Sequence, residues 1–436
     1  MKFLKVAVMS AIALAWSSAY AFHSGGVAEC EGCHSMHNSH EGSTMVTGTV
    51  YGQGSGPYLL KAADQSGTCL NCHGAGNALS GYHISTQDIS QTLNIPQQLT
   101  PGGDFAWLKI TTNFSVRGTP ATGWGQRRGH NVVAADFGYV ADPDLSVAPG
   151  GSYPAASLSC ISCHDPHGEY RRFADGTYNT TGLPISNSGS YNSSADPVTG
   201  IYAVGAYRIL GGTGYAPVSN PGFPFANQVP SAVSPSSYNR LEGNLKAGQT
   251  FVAYGAGMSE WCGNCHPNFI QSGYTSGMAG LRHPAGAASK LTAAVASNYN
   301  AYVTSGIMTN TDVNAAYSTL TPFEVGTNDF AVLKPRAALN GALDRSANTT
   351  NNVACVTCHR AHAGGFESML RFFYLNEFMT VGDAAGNASY ETNVLVNGNR
   401  SQGLNPDQVK QAYYGRDASV FGPWARMQCN RCHAQD

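Results

Sequence analysis

Twelve cysteines, every one inside a Cys-x-x-Cys-His motif, punctuate a chain whose intervening tracts are rich in glycine, proline, serine and asparagine. Together these observations predict a fold of the multihaem cytochrome c class. It should be mostly irregular, with a few short helices and little strand, organised around six haems. A third observation points the same way. Only 11% of the residues are charged, yet 22 tyrosines and 17 phenylalanines are present, so something apolar is being wrapped by a chain that has few ordinary amphipathic elements.

The six motifs are Cys30/Cys33/His34, Cys69/Cys72/His73, Cys160/Cys163/His164, Cys262/Cys265/His266, Cys355/Cys358/His359 and Cys429/Cys432/His433. Two thiols at this spacing reach the two vinyl groups of one haem, and the adjoining imidazole falls where it can bind the iron. An exported protein with an even cysteine number could hold disulfides, and paired Cys-x-x-Cys could hold zinc. Neither accounts for a histidine after every second cysteine.

Electron-transfer haems carry two axial ligands. The chain has 14 histidines, and after the six proximal ones eight remain: His23, His37, His40, His83, His130, His167, His283 and His362. That is enough for bis-histidine coordination throughout, with His40 as the expected spare. His37, His167 and His362 each stand three residues beyond a proximal histidine, after the first, third and fifth motifs. On one short helical turn two imidazoles so spaced point outward, one to its own haem and one to a neighbouring haem. His23, His83, His130 and His283 stand alone in loop-like sequence, where unfilled irons make ligation the expectation. The methionines are read as apolar filling around haem.

The chain opens with Lys2 and Lys5, an apolar run from Val6 to Trp16 and the small-residue site Ala19-Tyr20-Ala21. This is the pattern of a signal peptide over residues 1–21, leaving residues 22–436 as a single hexahaem domain. No later apolar run is long enough to span a bilayer. Loss of the two lysines takes the net charge from −2 to −4, which offers no basic footprint for nucleic acid. Haem propionates would need cationic partners, for which Arg127-Arg128, Arg171-Arg172, Arg208, Arg282 and Arg416 are candidates. Two helices are expected. One runs from Ser289 to Tyr302 with Ser289 as N-cap and Leu291, Val295 and Tyr299 on one stripe; the other starts at Asn405-Pro406 and is closed by Gly415. The tracts 74–159 and 168–260 should be loops that pack apolar side chains inward.

Several stretches are specific enough to suggest a relationship: residues 22–34, Thr100-Pro101-Gly102-Gly103-Asp104-Phe105, Cys163-His164-Asp165-Pro166-His167-Gly168, residues 205–212, Met258-Ser259-Glu260-Trp261-Cys262, Arg282-His283-Pro284 and Tyr413-Tyr414-Gly415-Arg416. In these the chain resembles, over essentially its whole mature length, the OmcS-type hexahaem outer-surface c-type cytochromes, filament-forming proteins of metal-reducing bacteria. The resemblance implies bis-histidine haems stacked in a continuous chain, alternately parallel and roughly perpendicular. It also implies a homopolymer in which His37 ligates the haem on Cys355/Cys358 of the adjacent subunit. If the same arm repeats within the subunit, His167 ligates the haem of the first motif and His362 that of the third. The even-numbered haems then draw on His23, His83, His130 and His283, one more than required.

The expected function is electron transfer, not enzymatic catalysis. A secreted, cell-surface filament would take electrons from outer-membrane or periplasmic cytochromes and pass them to metal oxides, electrodes or partner cells. Two alternatives compete. A reductase of a small nitrogen oxyanion needs an iron with a vacant position, which the histidine supply argues against. A monomeric periplasmic shuttle differs only in assembly.

Overall fold

In a computed structural model of the chain, the structure describes residues 30–34, 39–40, 43–44, 59–74, 83–87, 95–116, 118–180, 189–194, 196–198, 201, 203–235, 252–270, 283–304, 320–337, 347–375, 377–391 and 401–433. The expected leader over 1–21, His23, His37 and Arg282 lie outside the described residues, as do the side chains of Cys30, His40 and Tyr302.

Regular structure is sparse, as the motifs and composition predict. The helices described are α1 (Cys30–Cys33), α2 (Gln65–His73), α3 (Met258–Cys262), α4 (Ala293–Thr304), α5 (Phe330–Arg336), α6 (Cys355–Cys358), α7 (Pro406–Ala412), α8 (Ala418–Phe421) and α9 (Gln428–His433). Five of these carry a haem motif or part of one. The third motif instead occupies a 3-10 turn, Cys160–Ser162. The strands are short and antiparallel: β1 (Ser39–His40) with β2 (Ser43–Thr44), β3 (Thr112–Val116) with β4 (Thr119–Gly123), and a small sheet in the order β6-β5-β7 from β5 (Arg171–Arg172), β6 (Tyr178–Asn179) and β7 (Val204–Gly205). Two further pairs are β8 (Ser231–Val233) with β9 (Ala253–Ala256) and β10 (Thr380–Gly382) with β11 (Ala388–Tyr390).

With so little ladder, the described residues are held by three aromatic-rich clusters. One gathers Trp107, Tyr299, Phe366, Tyr413 and Phe421 around α4, α7 and α8; another joins Tyr170, Tyr207, Val233, Tyr254 and Leu333; a small third holds Leu70, Phe105, Val132 and Tyr139. Large aromatic rings bury 150–250 Å² apiece, so a few of them hold together segments with no shared sheet.

The two expected helices differ in how well local sequence places them. Asn405 caps α7 through Gln408 N–H and receives the Gln408 side chain in return, Pro406 opens the helix, and Gly415 follows in the left-handed region at φ 71°. The other helix begins only at Ala293. Ser289 and Leu291 are drawn into backbone pairing with residues 351–353, through Val353 N to Ser289 O (3.1 Å) and Leu291 N to Asn351 O (2.9 Å). Thr292, whose hydroxyl accepts from Val295 N at 3.2 Å, takes the capping place expected of Ser289. Leu291 and Tyr299 are nonetheless buried, as the stripe predicts. Within the tract 74–159 the β3–β4 hairpin stands out as ordered structure that the loop-like composition conceals, its turn closing through Gly118 at φ 85°.

Candidate haem-binding site

The first, third and fifth motifs are built alike. Each proximal histidine forms an antiparallel bridge to a leucine: His34 with Leu60, His164 with Leu210, His359 with Leu370. The next residue donates its N–H to the carbonyl of the second motif cysteine, Lys61 to Cys33 (2.9 Å), Gly211 to Cys163 (3.0 Å) and Arg371 to Cys358 (2.8 Å). The residue before each leucine lies in the left-handed region, Leu59 at φ 59°, Ile209 at 52° and Met369 at 50°. In the latter two copies the residue before that does as well, Arg208 at 48° and Ser368 at 56°. Non-glycine residues held there cost about 1–3 kcal/mol each and mark a constrained site. Here the turn aims a carbonyl at the imidazole: His164 Nδ1 bonds to Arg208 O and His359 Nδ1 to Ser368 O, both at 2.7 Å.

A carbonyl can only accept, so Nδ1 must carry the hydrogen, leaving the Nε2 lone pair free for a metal. This is the usual outer support of a metal-ligating histidine. His130 Nδ1 bonds in the same way to Ala361 O (2.7 Å), His266 Nδ1 to Pro149 O (2.7 Å) and His283 Nδ1 to Pro284 O (2.8 Å). Burial keeps the deepest rings uncharged. It pushes His130 down to about 4, helped by the nearby His266, and His362 down to about 3, helped by His164.

Among the described residues, neighbouring motifs abut in two places. Cys160 N donates to Ser66 Oγ and Cys355 N to Ser259 Oγ, both at 3.0 Å, each serine standing three residues before the first cysteine of the preceding motif. The Cys69 sulfur is in hydrogen-bond contact with Cys160, and that of Cys262 with Cys355. Motifs two and three therefore share one junction, and motifs four and five a second junction of the same design.

Three pairs of imidazoles face each other across a gap. Ring centres are 6.4 Å apart for His164 and His362, 6.1 Å for His130 and His266, and 6.0 Å for His283 and His433. Two metal–nitrogen bonds of about 2 Å each, with roughly 1 Å more from each nitrogen to its ring centre, put two rings on one ion about 6 Å apart. Each pair joins one proximal histidine to one of the histidines left over by the motifs. His362 is clamped by Phe105, stacked on it at 4.7 Å and 20°. His83 lies beside the second motif, where Ile84 N bonds His73 O at 2.9 Å, and its buried Nε2 has no protein partner. His167 stands exposed, its N–H bonded to Asp165 Oδ1.

The candidate arginines divide by environment. Arg127 is a surface side chain near Glu367 (3.4 Å) and Asp144 (3.9 Å). Arg128 is buried, with Nη1 on Gly365 O and Nη2 on Thr112 Oγ1. Arg172 is also buried, its guanidinium 3.8 Å over the Phe330 ring and its Nε without a hydrogen bond. The supports for the imidazoles (the Pro149, Arg208, Ala361 and Ser368 carbonyls and the Phe105 ring) could not be read from the sequence. Backbone carbonyls leave no residue-type signal.

The cysteine pairs, the spaced imidazoles and the free Nε2 atoms fit haem c, and the chain is moulded on those places instead of on a sheet or bundle. Such a site defines a c-type cytochrome. No family model matches the sequence. The chain is 52% identical over 431 residues to the C-type cytochrome OmcS of Geobacter sulfurreducens, covering 98% of this chain and 97% of that protein. Two solved structures are similar to it. One is of the OmcS nanowires of G. sulfurreducens (51% identity) and the other of its outer membrane cytochrome S filament (52% identity). Each has a TM-score of 0.83 and covers 95% of this chain and 100% of the other. The chain belongs to the OmcS family of c-type cytochromes.

Proposed function

We propose that the protein is an exported hexahaem electron carrier that assembles into an extracellular conducting filament. Haem would be attached at all six cysteine pairs, and electrons would pass between neighbouring haems with no bond chemistry at the protein. The observation that carries this reading is the set of facing imidazoles. His164 with His362, and His130 with His266, would each hold one iron from both sides and leave it no open position for a small-molecule substrate, which suits electron transfer and not reduction of a nitrogen oxyanion. Haem supplies the reversible one-electron couple. The chain's own residues fix the imidazole tautomers, exclude water with aromatic clusters and hold the motifs edge to edge.

The repeated arm extends the ligand assignment. His362, three residues past His359, faces His164 of the preceding odd-numbered motif. By the same step His167 serves His34, and His37 serves His359 of the next subunit. The other distal histidines follow a second order: His130 precedes the third motif and faces His266, while His283 precedes the fifth and faces His433. His23, which precedes the first motif, accordingly serves His73. The sixth motif would then abut the first motif of the neighbouring subunit, with Arg426 at the place that Ser66 and Ser259 hold in the other two junctions. The solved filaments of the relative support polymerisation; export by a leader over 1–21 and delivery to extracellular acceptors complete the proposal.

Two measurements test the proposal. The reduced protein should bind almost no carbon monoxide, and electron microscopy of the secreted fraction should show filaments. Stoichiometric carbon monoxide binding would favour the reductase; particles that stay monomeric at all concentrations would favour the shuttle.

A further inference from the structure

Where the fourth and fifth motifs meet sits a buried carboxyl, with a half-buried one nearby, that haem attachment does not explain. Glu324 is fully buried in an extended segment and is bound to Asn352 in both directions, with Glu324 N to Asn352 O at 3.1 Å and Asn352 N to Glu324 O at 2.8 Å. Asn352 lies three residues before Cys355. The Oε1 atom of Glu324 accepts from Met258 N at 2.7 Å, and Met258 opens α3, which ends in Cys262. One carboxyl thus joins the two turns whose cysteines touch.

Its other oxygen has no partner. Glu324 Oε2, Glu260 Oε2 and Asn352 Oδ1 are all buried and without a hydrogen bond. Glu260, half-buried, reaches outward through Oε1, which accepts from exposed Ala287 N at 2.8 Å. The groups facing Glu324 are Met258 N–H, the Asn352 amide, the Glu260 carboxyl and the Cys355 sulfur. Once haem is attached that sulfur is a thioether, so Glu260 is the remaining titratable neighbour. None of the ion pairs among the described residues involves either glutamate.

A carboxylate buried as Glu324 is, with a second acidic group nearby, is driven to take up a proton or to hold a cation. Among the described residues no group of three or more His, Cys, Asp and Glu side chains is placed to hold a metal ion, whereas a proton needs a single oxygen. Asp64 gives the contrast at the junction of motifs two and three. It caps α2, but both its oxygens already accept, from Gly67 N at 2.6 Å and Ala135 N at 2.8 Å.

We propose that Glu324, with Glu260 as its connection to solvent, is a proton-binding site coupled to the redox state of the haems attached at Cys262 and Cys355. When one of these haems takes an electron from its neighbour, ferric iron becomes ferrous and the Glu324 carboxylate takes a proton from water by way of Glu260; on reoxidation both leave. Burial first, then the Glu260 charge, place Glu324 at about 7, within the range where such uptake changes the equilibrium.

The proposal rests on haem being attached at these two motifs, which mass spectrometry of the corresponding peptides checks separately. Spectroelectrochemical titration of the full-length haem-loaded protein between about pH 5 and pH 9 reads the coupling. In the wild type the oxidised-to-reduced ratio of the coupled haems at fixed potential should rise up to about tenfold per pH unit near pH 7. Glu324→Gln should abolish that dependence and Asp64→Asn should leave it. A Glu324→Gln protein that carries all its haems and keeps the wild-type dependence overturns the proposal, as does a wild type with no dependence near pH 7. Sensitivity to added calcium or magnesium in place of pH would also overturn it. Should the variant fail to fold, the reduced-minus-oxidised infrared spectrum of the wild type decides: a protonated-carboxyl band that appears on reduction and shifts in heavy water supports the site, and its absence refutes it.

Discussion

The imidazoles of His164 and His362 face each other with ring centres 6.4 Å apart, although one belongs to the third haem motif and the other lies beyond the fifth. Phe105 stacks on His362 and the Arg208 carbonyl fixes His164, so both rings are held before any metal is considered.

His362→Ala should leave one iron five-coordinate. The purified variant is expected to show a high-spin signal and to bind carbon monoxide at one haem; an unchanged low-spin spectrum would assign the second ligand elsewhere.

Gly103 is paired with Ala363, the residue after His362. It sits at φ 103°, and a Cβ there would overlap the Ala363 carbonyl. Gly103→Ala should cost on the order of 2 kcal/mol or more and produce the same high-spin signature. Gly118→Ala, at φ 85° in open space, should lower stability slightly and leave the spectrum alone.

A haem attached at Cys69 and Cys72 would separate two histidines that the count alone does not. His23→Ala should turn that haem high-spin and His83→Ala should not. The reverse result would make His83, with its buried and unpartnered Nε2, the ligand.

Arg128→Ala removes donors from Gly365 O and Thr112 Oγ1 in a buried place, a loss of about 1–3 kcal/mol visible in thermal denaturation. Arg127→Ala, at an exposed pair, should shift stability by less than about 0.5 kcal/mol.

Stability should also carry the mark of Glu324. Its folded value of about 7 lies above the ordinary 4.5, so between those values the folded chain holds a proton that the unfolded chain has lost. Stability therefore falls as pH climbs through that window, by roughly 2–3 kcal/mol, and does not fall further above it. Glu324→Gln should flatten this slope in denaturant titrations at pH 5 and pH 8; a slope that persists would place its origin in another group.

Legibility followed the range of the interaction. Helix α7 could be read because Asn405, Pro406 and Gln408 settle its start among themselves. The start of α4 could not, since pairing with residues 351–353 from another part of the chain claims Ser289 and Leu291. The likeness between the turns ending in Leu60, Leu210 and Leu370 was hidden as well, because a left-handed carbonyl can be supplied by Arg208 or by Ser368 and leaves no common residue.

The sequence by itself determined where the cysteine pairs suited to haem stand and which histidine follows each, because cysteine spacing and proximal imidazole are fixed within five consecutive residues. Only the tertiary structure decided which distant imidazole faces which, which motifs abut and where a carboxyl is buried with one oxygen unmatched. Those outcomes depend on segments far apart in the chain being brought together by aromatic packing, and no local pattern records where a closed loop will come to rest.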